Sequence, residues 1–530
     1  MSATAPSDVR PDPPSAPVNT AADGSLETFG YRQELHRTMG RYASFAAGFS
    51  FLSILTTVFQ FFAVGYSLGG PVFFWTWPVV LGGQFLVALC FAELAAGYPI
   101  SGAIYQWSTR LSTPVFGWFA GWIMVIGQIV VVAAAALALQ MVLPPIWSGF
   151  QVIGGDPAPL SATGGANAAV LGVILLALTT LINVINNRVL SAVNSIGVTC
   201  EIIGAALIVL LLFTHSKRDP GITFHTGGAS GGPLISMLLV GSVTAAYVMV
   251  GFDSAGEMSE ETRNPRRTAP RTILAALLAG GLLGGLLVLG GLLAAPSLTD
   301  SNLATNGLSY VLTSDLGDGV GRLLLADVAV AISVATLAVQ TSASRMIFSM
   351  ARDGRLPCAE RLAKVSPRTG MPNAPAVVVG LLAGLLLLLN LVSPDAFLAI
   401  GTTCIVMLYL AYAMVTGPML VRRLKGQWSP SADGERDELG RPLFSLGRWG
   451  LPVNVLALAY GLFMTVNLAW PRAAVYDPAG GHWYFQWFTI LFVGATVVAG
   501  AVYLYRGGAR TVRGLDEAAR TELEPAAARS

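Results

Sequence analysis

The sequence predicts an all-α polytopic membrane protein with twelve transmembrane helices. Three observations carry that expectation. The 530 residues are 54% hydrophobic and only 11% charged, whereas a soluble chain carries about 25% charged residues. Apolar stretches of roughly 20 residues recur, the length that crosses a hydrocarbon core of ~30 Å at 1.5 Å per residue. The basic residues fall on one side of the membrane when those stretches are threaded in alternation. A chain this long and this poor in charge cannot build a water-facing surface, which excludes an ordinary soluble enzyme and a disordered protein. A formal net charge of +2 gives no basic field for tracking phosphates, so nucleic acid is not an expected partner.

Residues 1–38 are rich in Pro, Ala, Ser and Asp and lack the positive-then-apolar pattern of a cleaved leader, so a disordered tail is expected there. Spans follow near 41–67, 72–96, 113–142, 167–187, 191–213, 233–256, 271–295, 319–349, 375–392, 396–421, 451–471 and 484–505. Internal Pro and Gly do not disqualify them, because membrane helices tolerate both. With the N-terminus inside, all 31 basic residues but Lys217, Arg218, Arg322 and Arg472 lie on the inner side. The positive-inside rule then places both termini in the cytoplasm. The preference for Arg over Lys, beside abundant Ala and Gly, points to a bacterial plasma membrane.

The four cysteines form no CxxC pair and the four histidines are scattered outside the apolar runs, so no metal site is expected. GxSxG, HExxH and phosphate-loop patterns are missing, which leaves no sequence basis for an enzyme. No span carries the continuous polar stripe of a channel.

Ionisable residues inside spans are costly, by roughly 2.5–3.5 kcal/mol on insertion scales, and so mark function or pairing. Asp253 is the most informative. An apolar run from Leu234 to Phe252 leads into it, Gly251 stands just before, and Ser254, Ala255 and Gly256 follow. That pattern reads as a helix interrupted within the membrane, as in secondary transporters; the alternative is that Asp253 opens the following loop. Span one offers a partner, with Ser50, Ser53, Thr56 and Thr57 in its middle third, although such hydroxyls also bond back to their own helix turn. Glu201 sits mid-span in helix five, as a coupling or gating carboxylate or as a structural hydrogen-bond partner. Glu93, a second gating candidate, lies near the inner end of span two and reads more simply as the partner of a basic loop group. Asp327 has Arg322 about one turn away, which suggests a local pair. Tyr247 either covers a substrate or packs.

Three blocks, in order and at matching helix ends, carry a resemblance. They are Glu93-Leu94 with Tyr98-Pro99-Ile100-Ser101-Gly102-Ala103-Ile104-Tyr105, Gly251-Phe252-Asp253-Ser254-Ala255 with Glu260-Glu261-Thr262, Asn264-Pro265 and Pro270, and Ser344-Arg345 with Met350-Ala351-Arg352-Asp353-Gly354-Arg355-Leu356-Pro357. Over about residues 35–506 the chain resembles the amino acid–polyamine–organocation permeases, and most of all their amino acid/choline transporter branch. The resemblance implies a leucine-transporter-type fold of two inverted five-helix repeats, 39–213 and 233–422, a cytoplasmic loop at 423–450, helices eleven and twelve at 451–506 and a cytoplasmic tail at 507–530. It implies that helices one and six unwind around substrate, with Ser53, Thr56 and Thr57 at one break, Gly251, Phe252, Asp253 and Ser254 at the other, and Tyr247 as a covering aromatic. The chain departs from many relatives at Thr57 and Leu55, where glycines are expected, and has no lysine between Ser191 and Phe213.

The expected function is secondary active transport of amino acids or related small amines by alternating access, coupled to H+ or Na+ and needing no cofactor. A carrier or exchanger of choline, polyamine or 4-aminobutyrate and, more distantly, a nutrient sensor on a transporter fold are the alternatives. In this reading a helix-one half beginning near Thr57 offers free N–H groups to a substrate carboxylate. Asp253 supplies the field for the ammonium, and the loops after spans six and eight latch the cytoplasmic side.

Overall fold

The computed structural model describes residues 26–508 except 32, 36, 228–232, 394, 429–435, 437–439 and 478–479. Most of the two expected tails, and part of the expected 423–450 loop, therefore lie outside the described residues. The regular structure of the described residues is helical, with two isolated bridges and no strand among them.

Among the described residues eleven helices are long and apolar enough to cross a membrane: Arg41–Gly69, Pro71–Gly97, Pro114–Ile146, Ala162–Ile185, Asn187–Thr214, Pro265–Ala294, Ser301–Arg352, Asn373–Val392, Ala396–Leu424, Gly447–Ala469 and Phe488–Arg506. These are spans one to five and seven to twelve. The expected sixth span, 233–256, is not one helix. Leu234–Val248 is 15 residues, about 22 Å at 1.5 Å per residue, and the chain resumes helical form only at Ser254–Glu257. The eighth span is longer than expected because helical turns precede it from Ser301, kinked at Gly307 and Gly317, whose φ values are 54° and 75°.

Local chemistry sets the ends. Thr113 caps the third span by accepting from Phe116 N, with Pro114 in the first turn, and Ser161 caps the fourth by accepting from Gly164 N. Spans one, three and ten form the centre, 94%, 89% and 89% buried over their most apolar windows, against 22% for span twelve. Spans four, five, nine, eleven and twelve turn Ile174, Ile203, Leu381, Leu456 and Val498 outward. Exposed apolar faces on this scale suit hydrocarbon and not water. Span two packs on seven, three on eight, four on nine, and the second half of one on the first half of six. Small residues let these backbones approach: Trp77 donates to the Gly281 carbonyl at 2.6 Å.

The last part of the expected tail is not free chain. Residues Leu26–Phe29 form a 3-10 turn, and Met39 pairs with the segment after span six, its N–H reaching Glu261 O and its carbonyl receiving Arg263 N, both at 2.9 Å.

Candidate functional site

Span one breaks at Ser53. The helix Arg41–Leu52 ends there, Ser53 adopts φ 31°, ψ 87°, and a second helix begins at Ile54. A left-handed conformation on a residue with a Cβ costs on the order of 1–2 kcal/mol, so its surroundings must hold it. Glu201 of span five does: Ser53 Oγ donates to its Oε1 at 2.8 Å and Leu55 N–H donates to the same oxygen at 3.2 Å. A carboxylate at a helix start also meets the positive end of the helix dipole. Ser53 and Thr56 share a hydroxyl–hydroxyl bond of 2.6 Å, and Thr57 Oγ1 donates to Ser53 O at 2.8 Å. Ser50 Oγ reaches Val334 O of span eight at 3.3 Å. The expectation of free N–H groups near Thr57 is corrected: the half-helix starts three residues earlier, and Thr57 N bonds Ser53 O at 3.0 Å.

Span six breaks beside it. Gly251 takes φ 94°, and a Cβ there would strike the Phe51 ring. Glycine is required twice over, by conformation and by room. Tyr412 of span ten clamps the break, since its hydroxyl accepts from Gly251 N at 2.8 Å and donates to Asp253 Oδ1. Asp253 is fully buried at the break and does not open an exposed loop. Ser254 Oγ donates to Ala47 O at 3.3 Å, joining the two broken helices directly. Phe252 lies in an aromatic cluster with Phe91 and Tyr412, at ring separations of 5.9 and 5.3 Å. Tyr247 donates to Gln60 Oε1 at 3.0 Å and lies on Phe61 with centroids 4.4 Å apart, so it bridges the second half of helix one and the first half of helix six.

The structure thus brings Ser53, Thr56, Thr57, Tyr247, Gly251, Phe252, Asp253, Ser254 and Glu201 into one buried centre. Sequence reasoning passed over Glu257, one turn after Asp253, to which Gln128 of span three donates at 2.8 and 3.0 Å. The i, i+4 spacing of the two acids was the available signal. Tyr412 and Gln128 carried no local signal at all. One oxygen each of Glu201 and Asp253 accepts no hydrogen bond among the described residues, and neither acid pairs with a basic side chain there.

Two expectations move. Asp327 does not pair with Arg322, which binds Asp318 at 2.9 Å. It lies instead against Gly204, one turn from Glu201, where any Cβ would collide with its carboxylate. The helix turn aims Asp327 at span five and Arg322 away from it. Glu93 does not join the centre either. It pairs with Arg423 at the end of span ten and accepts from Leu446 N at 3.1 Å, the simpler of its two readings.

The end of the bundle that carries the arginine-rich loops is held by buried ion pairs. Glu261 binds Arg345 at 2.7 Å, and Asn187 donates to its other oxygen at 2.9 Å. Glu260 binds Arg352 at 2.9 Å and accepts from Ser101 N at 3.1 Å. Arg352 also lies over the Tyr31 ring at 4.1 Å, and Tyr31 donates to Asp353 at 3.0 Å.

A bundle of membrane-crossing helices with two adjoining interruptions and buried carboxylates at its centre defines a class: a polytopic membrane transporter of small solutes, and not an enzyme. The comparisons with known proteins sharpen this. The amino acid permease family model matches residues 43–495. The amino-acid permease BAT1 of Arabidopsis thaliana is 28% identical over 86% of this chain and 90% of its own. Amino-acid permease 2 of Neurospora crassa is 26% identical over 88% and 84%, and the thiamine transporter thi9 of Schizosaccharomyces pombe is 24% identical over 84% and 79%. The chain belongs to the amino acid permease family.

Proposed function

We propose that this permease takes up an amino acid or a related small amine across a plasma membrane by ion-coupled alternating access, with both termini in the cytoplasm. The observation that carries the reading is the pair of adjoining breaks at Ser53 and Gly251, with Asp253 buried against the Tyr412 hydroxyl and no basic side chain paired with it among the described residues. Asp253 attracts the substrate ammonium. Helices one, two, six and seven rock against the rest, and the Glu261–Arg345 and Glu260–Arg352 pairs close the cytoplasmic side. Glu201 is the coupling group: it bonds Ser53 and Leu55, so a change in its protonation acts directly on the hinge of helix one.

The aromatic cluster of Phe91, Phe252 and Tyr412 supports a second reading, a carrier of choline-like or larger organic cations, because such cations favour aromatic faces. The thiamine transporter among the relatives fits that reading.

Uptake by purified protein in liposomes, over a panel of labelled amino acids, choline, polyamine and 4-aminobutyrate, tests both. One charge-assisted contact contributes about 1.5–3 kcal/mol, so Asp253→Asn is expected to cut uptake roughly ten- to 100-fold while the protein still reaches the membrane. Undiminished uptake by that variant overturns the role of Asp253. Collapse of accumulation by a protonophore, with indifference to sodium, is the expected coupling result; dependence on sodium alone overturns the role of Glu201.

A further inference from the structure

Away from the centre, at the opposite end from the arginine-rich loops, three side chains from distant parts of the chain converge. Asp395 stands immediately before the helix Ala396–Leu424 and is 5% exposed. Asp477, 7% exposed, and His482 flank the turn between spans eleven and twelve. One ligand atom from each lies within 4.8 Å of the others. His482 Nδ1 is 3.6 Å from Asp477 Oδ1, and neither atom has a hydrogen-bond partner among the described residues. The remaining oxygen of Asp477 is already used, accepting from His482 N at 2.8 Å, which fixes the carboxylate so that Oδ1 points into the cluster.

We propose that Asp395, Asp477 and His482 bind one divalent transition-metal ion of the zinc class, which staples the segment between spans eleven and twelve to the start of span ten. The chemistry of the set selects the ion. Two carboxylates with one imidazole form a mixed oxygen and nitrogen set, three protein ligands with a fourth position left for water. Tetrahedral zinc with bonds of ~2.0–2.1 Å sets its ligand atoms about 3.3 Å apart. The His482–Asp477 pair is already close to that spacing, and Asp395 needs only a small approach. Two neighbouring carboxylates repel each other, and a dication converts that repulsion into attraction.

The staple acts on the moving parts. Just before Asp477, Val475 and Tyr476 pack on Val240 of helix six and Leu68 of helix one, the halves that lie beyond the two breaks. A metal that fixes this segment to span ten therefore restrains the outer halves of both broken helices. No sequence pattern points to the site, because Asp395 is far from the other two ligands along the chain and no two of the three share a motif.

The test uses tag-free, full-length protein in detergent with zinc chloride as the probe. Calorimetry is expected to show one saturable site, weakened at least tenfold by His482→Ala and, independently, by Asp395→Asn; neither variant removes the His482 N–H bond to Asp477. Zinc is expected to slow amide exchange in peptides covering residues 470–486 of the unaltered protein and not in His482→Ala. Absence of a saturable site, or binding unchanged in both variants, overturns the site. Binding without added protection in that segment overturns the staple. Neither readout depends on which solute is carried.

Discussion

The arginine-rich end of the bundle and its middle both bury carboxylates, but they satisfy them in opposite ways. At the end, Glu261 and Glu260 meet Arg345 and Arg352 at 2.7 and 2.9 Å, and backbone or amide donors take up other lone pairs. In the middle, the hydrogen-bond donors to Asp253, Glu257 and Glu201 among the described residues are a tyrosine, a glutamine, a serine and one backbone N–H. Arginines can be built into a helix end because they enter the fold from the loop side, whereas a cation at mid-membrane costs several kcal/mol to insert. The difference separates tasks. Paired acids tie helices together at one end of the bundle, and the acids of the middle have no cation beside them among the described residues.

That contrast can be broken most severely at the paired end. Arg345→Ala strands a buried Glu261 and is expected to cost about 3–5 kcal/mol, read as a large fall in the thermal midpoint of the purified protein. Glu261→Gln combined with Arg345→Gln is expected to recover much of the loss, because no lone charge remains. A single variant as stable as the double would show that the pair is not closed as described.

The next effect belongs to the middle. Gly251→Ala must hold a Cβ at φ 94° and displace the Phe51 ring, for an expected cost of about 2–4 kcal/mol from strain and overpacking together. Gly154→Ala is the control, with φ 74° and open space around it, and is expected to lose only ~1 kcal/mol. Equal midpoints for the two variants would show that the Phe51 packing does not matter.

The smallest effect sharpens the role of hydroxyl partners. Ser53→Ala removes one donor to Glu201 but leaves Leu55 N–H in place, so a loss of ~1 kcal/mol is expected. A loss as large as that of Arg345→Ala would mean that the centre, like the end, depends on fully satisfied acids.

Much of the fold was legible in the sequence, and so were the residues on the two breaks, whereas Glu257, Tyr412 and Gln128 were not. Span positions follow from apolar length. The break in helix six was readable because Gly251 and Asp253 interrupt an apolar run that otherwise just suffices to cross. The hydroxyls at Ser53, Thr56 and Thr57 flagged the break in helix one, which falls at Ser53; its second half, expected to begin near Thr57, begins at Ile54, because serine in a left-handed conformation is unusual. Glu201 was visible as a mid-span acid; its partner Ser53 stands 148 positions away, and no local pattern links them. Asp327 was misread for the same reason. Arg322 is close in sequence, but the helix turn carries the two side chains to different faces.

The sequence by itself determined that this chain is a helical membrane bundle, and it marked the stretches around Ser53 and Gly251 where two of its helices are interrupted. Those properties depend on hydrophobic length, charge count and backbone preference, which act within a turn or a span. Tertiary structure alone decided which acid meets arginine, which meets a hydroxyl, and that Asp395, Asp477 and His482 converge. Pairing between helices depends on rotation and depth in the bundle, and those are fixed only when all the helices pack together.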